Sequence, residues 1–175
     1  NKQYTLVLAL NGTLVHFKQT ESNQGFLRIR PYLFDFLEEI SKFYEIILFT
    51  SATQYYADCL INTIESQRKY FDYKFYRQHN IIIVNDFVKD LTRIGRPLDS
   101  TIIIDNVPQN FRLQKENGIV IKSFWAQDSD DQTLLELLPI LINITQNRYD
   151  VRYGLSENKD DILKKISSNL YMQDI

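Results

Sequence analysis

Four short stretches of this chain bring together side chains that could form a site. Asn11-Gly12-Thr13, Thr50-Ser51 and Asp105-Asn106 each end an apolar run, and Lys89 lies within Val88-Lys89-Asp90-Leu91. Hydroxyl and ammonium groups donate hydrogen bonds to anions, and a carboxylate beside an amide offers oxygen donors to a cation. Taken singly these signals are weak, because a threonine that ends a strand commonly caps the turn and a lone lysine is commonly solvated. Position gives them weight. In an open parallel sheet, ligands collect outside the carboxyl ends of the strands.

The elements that must position these residues follow from hydrophobic periodicity. Tyr4–Leu10, Glu45–Phe49 and Thr101–Ile104 are continuously apolar and rich in β-branched residues, as strands covered on both faces are. Gly118–Ile121 is a shorter fourth candidate. Helical spacing lies between them. Pro31 suits the first turn of a helix through Phe43, with Leu33, Phe36, Leu37 and Ile40 on one face. Gln54–Ile64 and Asp131–Thr145 are further helices, the latter capped by Ser129 and Asp130 and bent at Pro139. Alternating strands and helices predict an α/β fold, a parallel sheet with helices on both faces. Tyr73–Tyr76 and Ile81–Val84 interrupt the alternation and read as the two arms of a small β-hairpin insert near residues 71–88. The domain is expected over residues 1–155, with 156–175 as a tail that forms a last amphipathic helix over Lys159–Leu170.

Composition limits the function. Of 175 residues, 20 are Lys or Arg and 22 are Asp or Glu, so no surplus of positive charge exists for a general grip on nucleic acid. One cysteine and two histidines exclude a thiolate or His-rich metal centre. No apolar run approaches the ~20 residues that span a bilayer. The chain starts at Asn1, which leaves a targeting segment upstream open.

In order and spacing, the four stretches resemble the small C-terminal-domain phosphatases, the FCP/SCP-like (NLI-interacting-factor-like) branch of the haloacid dehalogenase superfamily. Leu8-Ala9-Leu10-Asn11-Gly12-Thr13-Leu14-Val15-His16 is similar to that family's Leu-Asp-Leu-Asp-Glu-Thr-Leu-Val-His signature. Arg30-Pro31, Phe49-Thr50, Val88-Lys89-Asp90-Leu91, Gly95-Arg96 and Ile104-Asp105-Asn106 continue the pattern, and Asp150-Val151-Arg152 closes it. The resemblance implies a Rossmann-like sheet. It also implies a covalent phosphatase mechanism: the first signature Asp attacks phosphorus and the second acts as general acid and base. Mg²⁺ is held by the first carboxylate, a main-chain carbonyl at the second position and the Asn after the third strand.

Against that pattern, residue 9 is Ala and residue 11 is Asn, while Gly12 stands where the signature has Glu. A methyl group is no nucleophile, and an amide does not titrate near neutral pH. The supporting positions remain. Gly12, Thr13, Thr50 and Lys89 match phosphate-contacting residues, and Asp105 and Asn106 match the acidic and metal-side positions. The expectation from the degenerate positions Ala9 and Asn11 is a chain that is no enzyme but a pseudophosphatase, a protein-interaction or structural subunit of a larger assembly. With the carboxylates gone, Mg²⁺ is expected to bind weakly or not at all. Other protein subunits are the expected partners, and a phosphopeptide or another anion is a candidate ligand. A more distant resemblance, to the presequence-receptor subunit of the mitochondrial inner-membrane translocase, makes the mitochondrion a candidate compartment beside nucleus and cytoplasm. The alternative is a protein serine/threonine phosphatase of the same type with residual activity.

Aromatic residues cluster around the expected insert. Tyr55, Tyr73, Phe75 and Tyr76 are candidates for a protein-binding surface, since aromatics are favoured interface anchors. Trp125 is expected in the core or at a strand edge, and Cys59 as a buried, inert thiol.

Overall fold

The computed structural model describes residues 2–19, 21, 24–127 and 129–167. Its centre is a five-stranded parallel sheet ordered β5-β4-β1-β8-β9. These strands are β1 (Tyr4–Leu8), β4 (Tyr44–Phe49), β5 (Tyr73–Phe75), β8 (Thr101–Asp105) and β9 (Gly118–Val120). β1 lies between β4 and β8, with Leu8 level with Leu48 on one side and Ile104 on the other. The chain thus builds outward from β1 in both directions, and the crevice of an open α/β sheet opens where that reversal occurs.

Alternate residues of the central strands enter two separate cores. Leu6, Leu8, Ile46, Leu48, Ile102 and Ile104 face α1 (Leu33–Ile40), α2 (Gln54–Ile64) and α3 (Thr133–Gln146). Val7, Ile47, Phe49 and Ile103 face the other way, against Leu91, Ile94 and Phe111. That second face is covered by the tight 3₁₀ segments Leu91–Ile94 and Pro108–Asn117 rather than by a long helix. Both faces are buried, which is why the strands are apolar without alternation.

The α/β reading and the parallel sheet hold, and several details are corrected. Tyr73–Phe75 does not pair with the next segment; it is β5, the parallel edge strand beside β4. The hairpin is instead β6 (Ile81–Ile83) with β7 (Asp86–Val88), turned by Val84 and Asn85 at positive φ. A second hairpin, β2 (Val15–Gln19) with β3 (Gly25–Ile29), follows the first loop and was not read from the sequence. The third helix begins at Thr133, where Asp131 rather than Ser129 or Asp130 accepts the Thr133 N–H at 2.9 Å. Beyond α4 (Val151–Glu157), residues 159–166 continue in short helical turns that bury Ile162 and Ile166, and the Lys122 N–H donates to the Ile166 carbonyl. Leu170, the expected end of the last helix, lies outside the described residues. Among the described residues no helix is long and apolar enough to cross a membrane.

Candidate functional site

β1 delivers Ala9 and the loop Leu10–Leu14 to the carboxyl end of the sheet. The loop closes on itself: Gly12 N–H donates to Val15, and the Thr13, Leu14 and Val15 N–H groups donate to Leu10. Gly12 has φ 76, and a Cβ there would lie 2.5 Å from Asn106 Nδ2. Glycine is therefore required twice, by backbone conformation and by close approach to the neighbouring strand end. Thr13 Oγ1 donates to Asn106 Oδ1 at 3.2 Å, and Asn106 Nδ2 donates to Ser123 Oγ at 3.1 Å. The Asn11 side chain is exposed and hydrogen-bonds the Tyr56 hydroxyl on α2.

Lys89 is carried in by the β6–β7 hairpin. Its N–H donates to the Asn110 carbonyl at 2.7 Å, and Arg112 fastens the hairpin through Asp86 and the Ile83 carbonyl. The Lys89 side chain is 2% exposed and its ammonium is ion-paired with Asp105, which ends β8 and is 1% exposed. That is its one partner among the described residues, so two of its three N–H groups remain to be used. Asp105 is more fully committed. Oδ1 accepts from the Val107 N–H and Asn110, and Oδ2 accepts from Lys89 and Asn110.

Thr50 directly follows β4 and is buried. Its Oγ1 accepts the Ala52 N–H at 3.1 Å, leaving the hydroxyl proton to donate, while Asn80 holds the Thr50 carbonyl at 3.1 Å. Beneath the first loop, Arg30 is almost wholly buried. It donates to the Thr13 carbonyl at 3.0 Å, to the Lys122 carbonyl at 2.9 Å and to Asp131 at 2.8 Å, with its guanidinium over the Phe124 ring. Burial favours protonation of Asp131, but the Arg30 hydrogen bond and charge and the Thr133 N–H outweigh it and hold the carboxyl below its usual range.

Ala9, Asn11, Gly12, Thr13, Thr50, Lys89, Asp105 and Asn106 are thus gathered at one end of the sheet. Four supports were not read from the sequence: Asn110 on Asp105, Asn80 on Thr50, Ser123 on Asn106, and the Arg30–Asp131 pair. Arg30-Pro31 carried a signal as part of the family pattern; isolated asparagines carry none. The aromatic candidates divide. Tyr55 is 87% exposed and Tyr73 is 50% exposed, with Arg96 over the Tyr73 ring. Phe75 packs against Phe49 and His79, and Tyr76 is buried with its hydroxyl donating to Asp58 at 2.7 Å. Burial, with that carboxylate beside it, pushes the Tyr76 phenol up to about 12. Trp125, expected in the core or at a strand edge, is 59% exposed on the segment after β9 and meets His16 edge-on, and Cys59 is exposed rather than buried. A cavity of about 660 Å³ between Phe111, Val120, Leu155 and Ile162 is lined by none of the candidate site residues.

The Mg²⁺ site that the resemblance implies can be compared with these donors. Residue 9 offers a methyl group, Asn106 Oδ1 already accepts from Thr13, and both Asp105 oxygens are taken. Among the described residues no group of three or more His, Cys, Asp or Glu side chains converges. Mg²⁺ favours an octahedral set of oxygens with carboxylate among them, and this donor set does not fit it.

Residues 4–152 match the family described as NLI interacting factor-like phosphatase. Over 164 residues the chain is 38% identical to a CTD small phosphatase-like protein 2 of Dictyostelium discoideum, covering 85% of this chain and 28% of that protein. It is 36% identical to a CTD small phosphatase-like protein 3 of Caenorhabditis elegans, covering 86% and 57%. It is also 36% identical to the nuclear envelope morphology protein 1 of Schizosaccharomyces pombe, covering 85% and 34%. The chain therefore spans between about a quarter and three-fifths of these relatives. In fold it is similar to the fission yeast RNA polymerase II CTD phosphatase Fcp1 bound to beryllium fluoride, with TM-score 0.59 at 16% identity over 95% of this chain and 58% of that one.

These findings correct the expectation that the chain is no enzyme, since relatives sharing more than a third of its aligned residues are named phosphatases. Ala9 and Asn11 bear on something narrower. They remove a phosphoaspartate at residue 9 and a carboxylic acid at residue 11, which is one route and not a class of protein. From the first strand to the start of α4, the chain belongs to the NLI interacting factor-like phosphatase family.

Proposed function

We propose that this domain acts on phosphoserine or phosphothreonine in partner proteins, taking the phosphoryl group at the carboxyl end of the sheet. The observation that carries the reading is Lys89, a buried ammonium with two N–H groups unused among the described residues, at the same end of the sheet as the Thr50 hydroxyl. The ammonium's charge is met by Asp105, but unused N–H donors in a buried site are costly unless acceptor atoms complete them, as the oxygens of a phosphoryl group would. Turnover at this site passes the phosphoryl group directly to water: a water oxygen bonds to phosphorus as the bond to the serine or threonine oxygen breaks, and that oxygen takes up a proton. No covalent intermediate on residue 9 lies on this path. Loss of a covalent nucleophile lowers rates by several powers of ten, so slow hydrolysis is expected.

The test is a binding and turnover series with a phosphoserine peptide and its unphosphorylated twin. Tighter binding of the phosphorylated form, with phosphate release and no trapped phosphoprotein, supports the reading. Equal binding of the two peptides overturns it.

A second role, as a partner-binding subunit, draws on the exposed aromatics Tyr55 and Trp125, residue types favoured as interface anchors. The names of the relatives favour an intracellular setting, with the nuclear envelope among them, and none of those described above is mitochondrial.

A further inference from the structure

We infer that the cleft binds a phosphate monoester dianion without a divalent cation, because the carboxylates that would require one are absent. The inference rests on the phosphoryl-binding reading above and specifies its cofactor. In the family signature, two Asp side chains crowd the first strand end, and the two positive charges of Mg²⁺ cancel them. Here residues 9 and 11 are neutral, so both the two negative charges and the need for the ion disappear together. What remains is one buried cation and one buried anion, Lys89 and Asp105, already balanced against each other. A dianion entering this cleft meets the same net charge as one entering a metal-loaded relative.

The hydrogen bonds agree with the charges. Asp105 is buried, with three donor groups making four hydrogen bonds to its two oxygens. Lys89 keeps two donors and Thr50 one, so the open capacity at the strand ends is for accepting atoms, as on a phosphoryl group. A cation would have to compete with Lys89 for Asp105 and with Thr13 for Asn106. A phosphate oxygen can take the unused Lys89 and Thr50 donors without breaking either of those hydrogen bonds.

The experiment is calorimetric titration of the full chain with inorganic phosphate, at a pH above the second phosphate ionisation, once in EDTA and once with millimolar MgCl₂, beside a titration with MgCl₂ alone. The expected result is phosphate binding that differs less than about twofold between the two buffers, and no saturable heat from MgCl₂. Asn11→Asp, at an exposed position that tolerates the change, puts back one carboxylate. It should weaken phosphate binding in EDTA by about tenfold, the order of like-charge repulsion near a protein surface, with MgCl₂ recovering the loss. Phosphate binding that appears only with MgCl₂ in the native chain would overturn the inference and leave the phosphoryl-binding reading intact. Absence of phosphate binding in both buffers would overturn the two together.

Discussion

At the scale of single residues, the first loop shows how a substitution can remove a chemical group and alter the backbone at once. Gly12 occupies the left-handed region and lies against Asn106, so a side chain there meets both torsional and steric resistance. A left-handed conformation costs a non-glycine residue about 1–2 kcal/mol. Gly12→Ala should lower the unfolding free energy by at least that much, read as a lower denaturant midpoint, and an unchanged midpoint would show that the loop relaxes freely. The substitutions at 9, 11 and 12 were legible from the sequence, as was the gathering of Thr13, Thr50, Lys89 and Asp105. Their supports were not. Asn110 reaches Asp105 across five residues, but Asn80 holds the Thr50 carbonyl from 30 residues away, and nothing in either local sequence marks it.

At the scale of elements, the buried pair of Arg30 and Asp131 joins the end of β3 to the entrance of α3, and Arg30 also donates to the Thr13 carbonyl. Removing one partner of such a pair leaves an uncompensated charge and costs about 3–5 kcal/mol. Asp131→Asn is therefore expected to destabilise the fold by that order at neutral pH. The folded-state carboxyl lies below the unfolded value, so the ion pair's contribution is complete above the unfolded value near 3.9 and is lost as pH falls through the folded one. The gap in stability between native chain and variant should close on acidification below about pH 4. A gap independent of pH would mean that the pair is not an ion pair. Sequence periodicity located α2 and the three central strands, because apolar runs and helical stripes are local. It failed at the hairpins. Tyr73–Phe75 and Ile81–Ile83 look like the arms of one hairpin, yet the first is an edge strand and the second pairs with Asp86–Val88. Such short segments are placed by tertiary contacts, here by β4 and by Arg112.

At the scale of the whole molecule, the domain joins a sheet buried on both faces to a rim on which the hairpin, the first loop and the segment after β9 meet. The protein's one tryptophan lies on that last segment, exposed, beside His16 and next to Phe124, whose N–H donates to the Gly12 carbonyl. Trp125 is thus a built-in reporter for the cleft. A saturating phosphopeptide is expected to shift its emission to shorter wavelength by covering the ring, while the same peptide without phosphate leaves the spectrum unchanged at equal concentration. A shift of the same size with both peptides would mean that the rim responds to peptide and not to phosphate.

The central claim is that Lys89 makes this end of the sheet a phosphoryl-binding site, and calorimetry of a phosphoserine peptide on the native chain and a charge-free variant tests it most directly. Lys89→Met combined with Asp105→Asn removes both buried charges and leaves none unpaired, so the fold is retained and the readout is binding alone. The account predicts that phosphorylated peptide binds the native chain at least about tenfold more tightly than its unphosphorylated twin, and that the variant loses this preference. A preference undiminished in the folded variant would contradict the account, because the anion would then be held somewhere other than at Lys89.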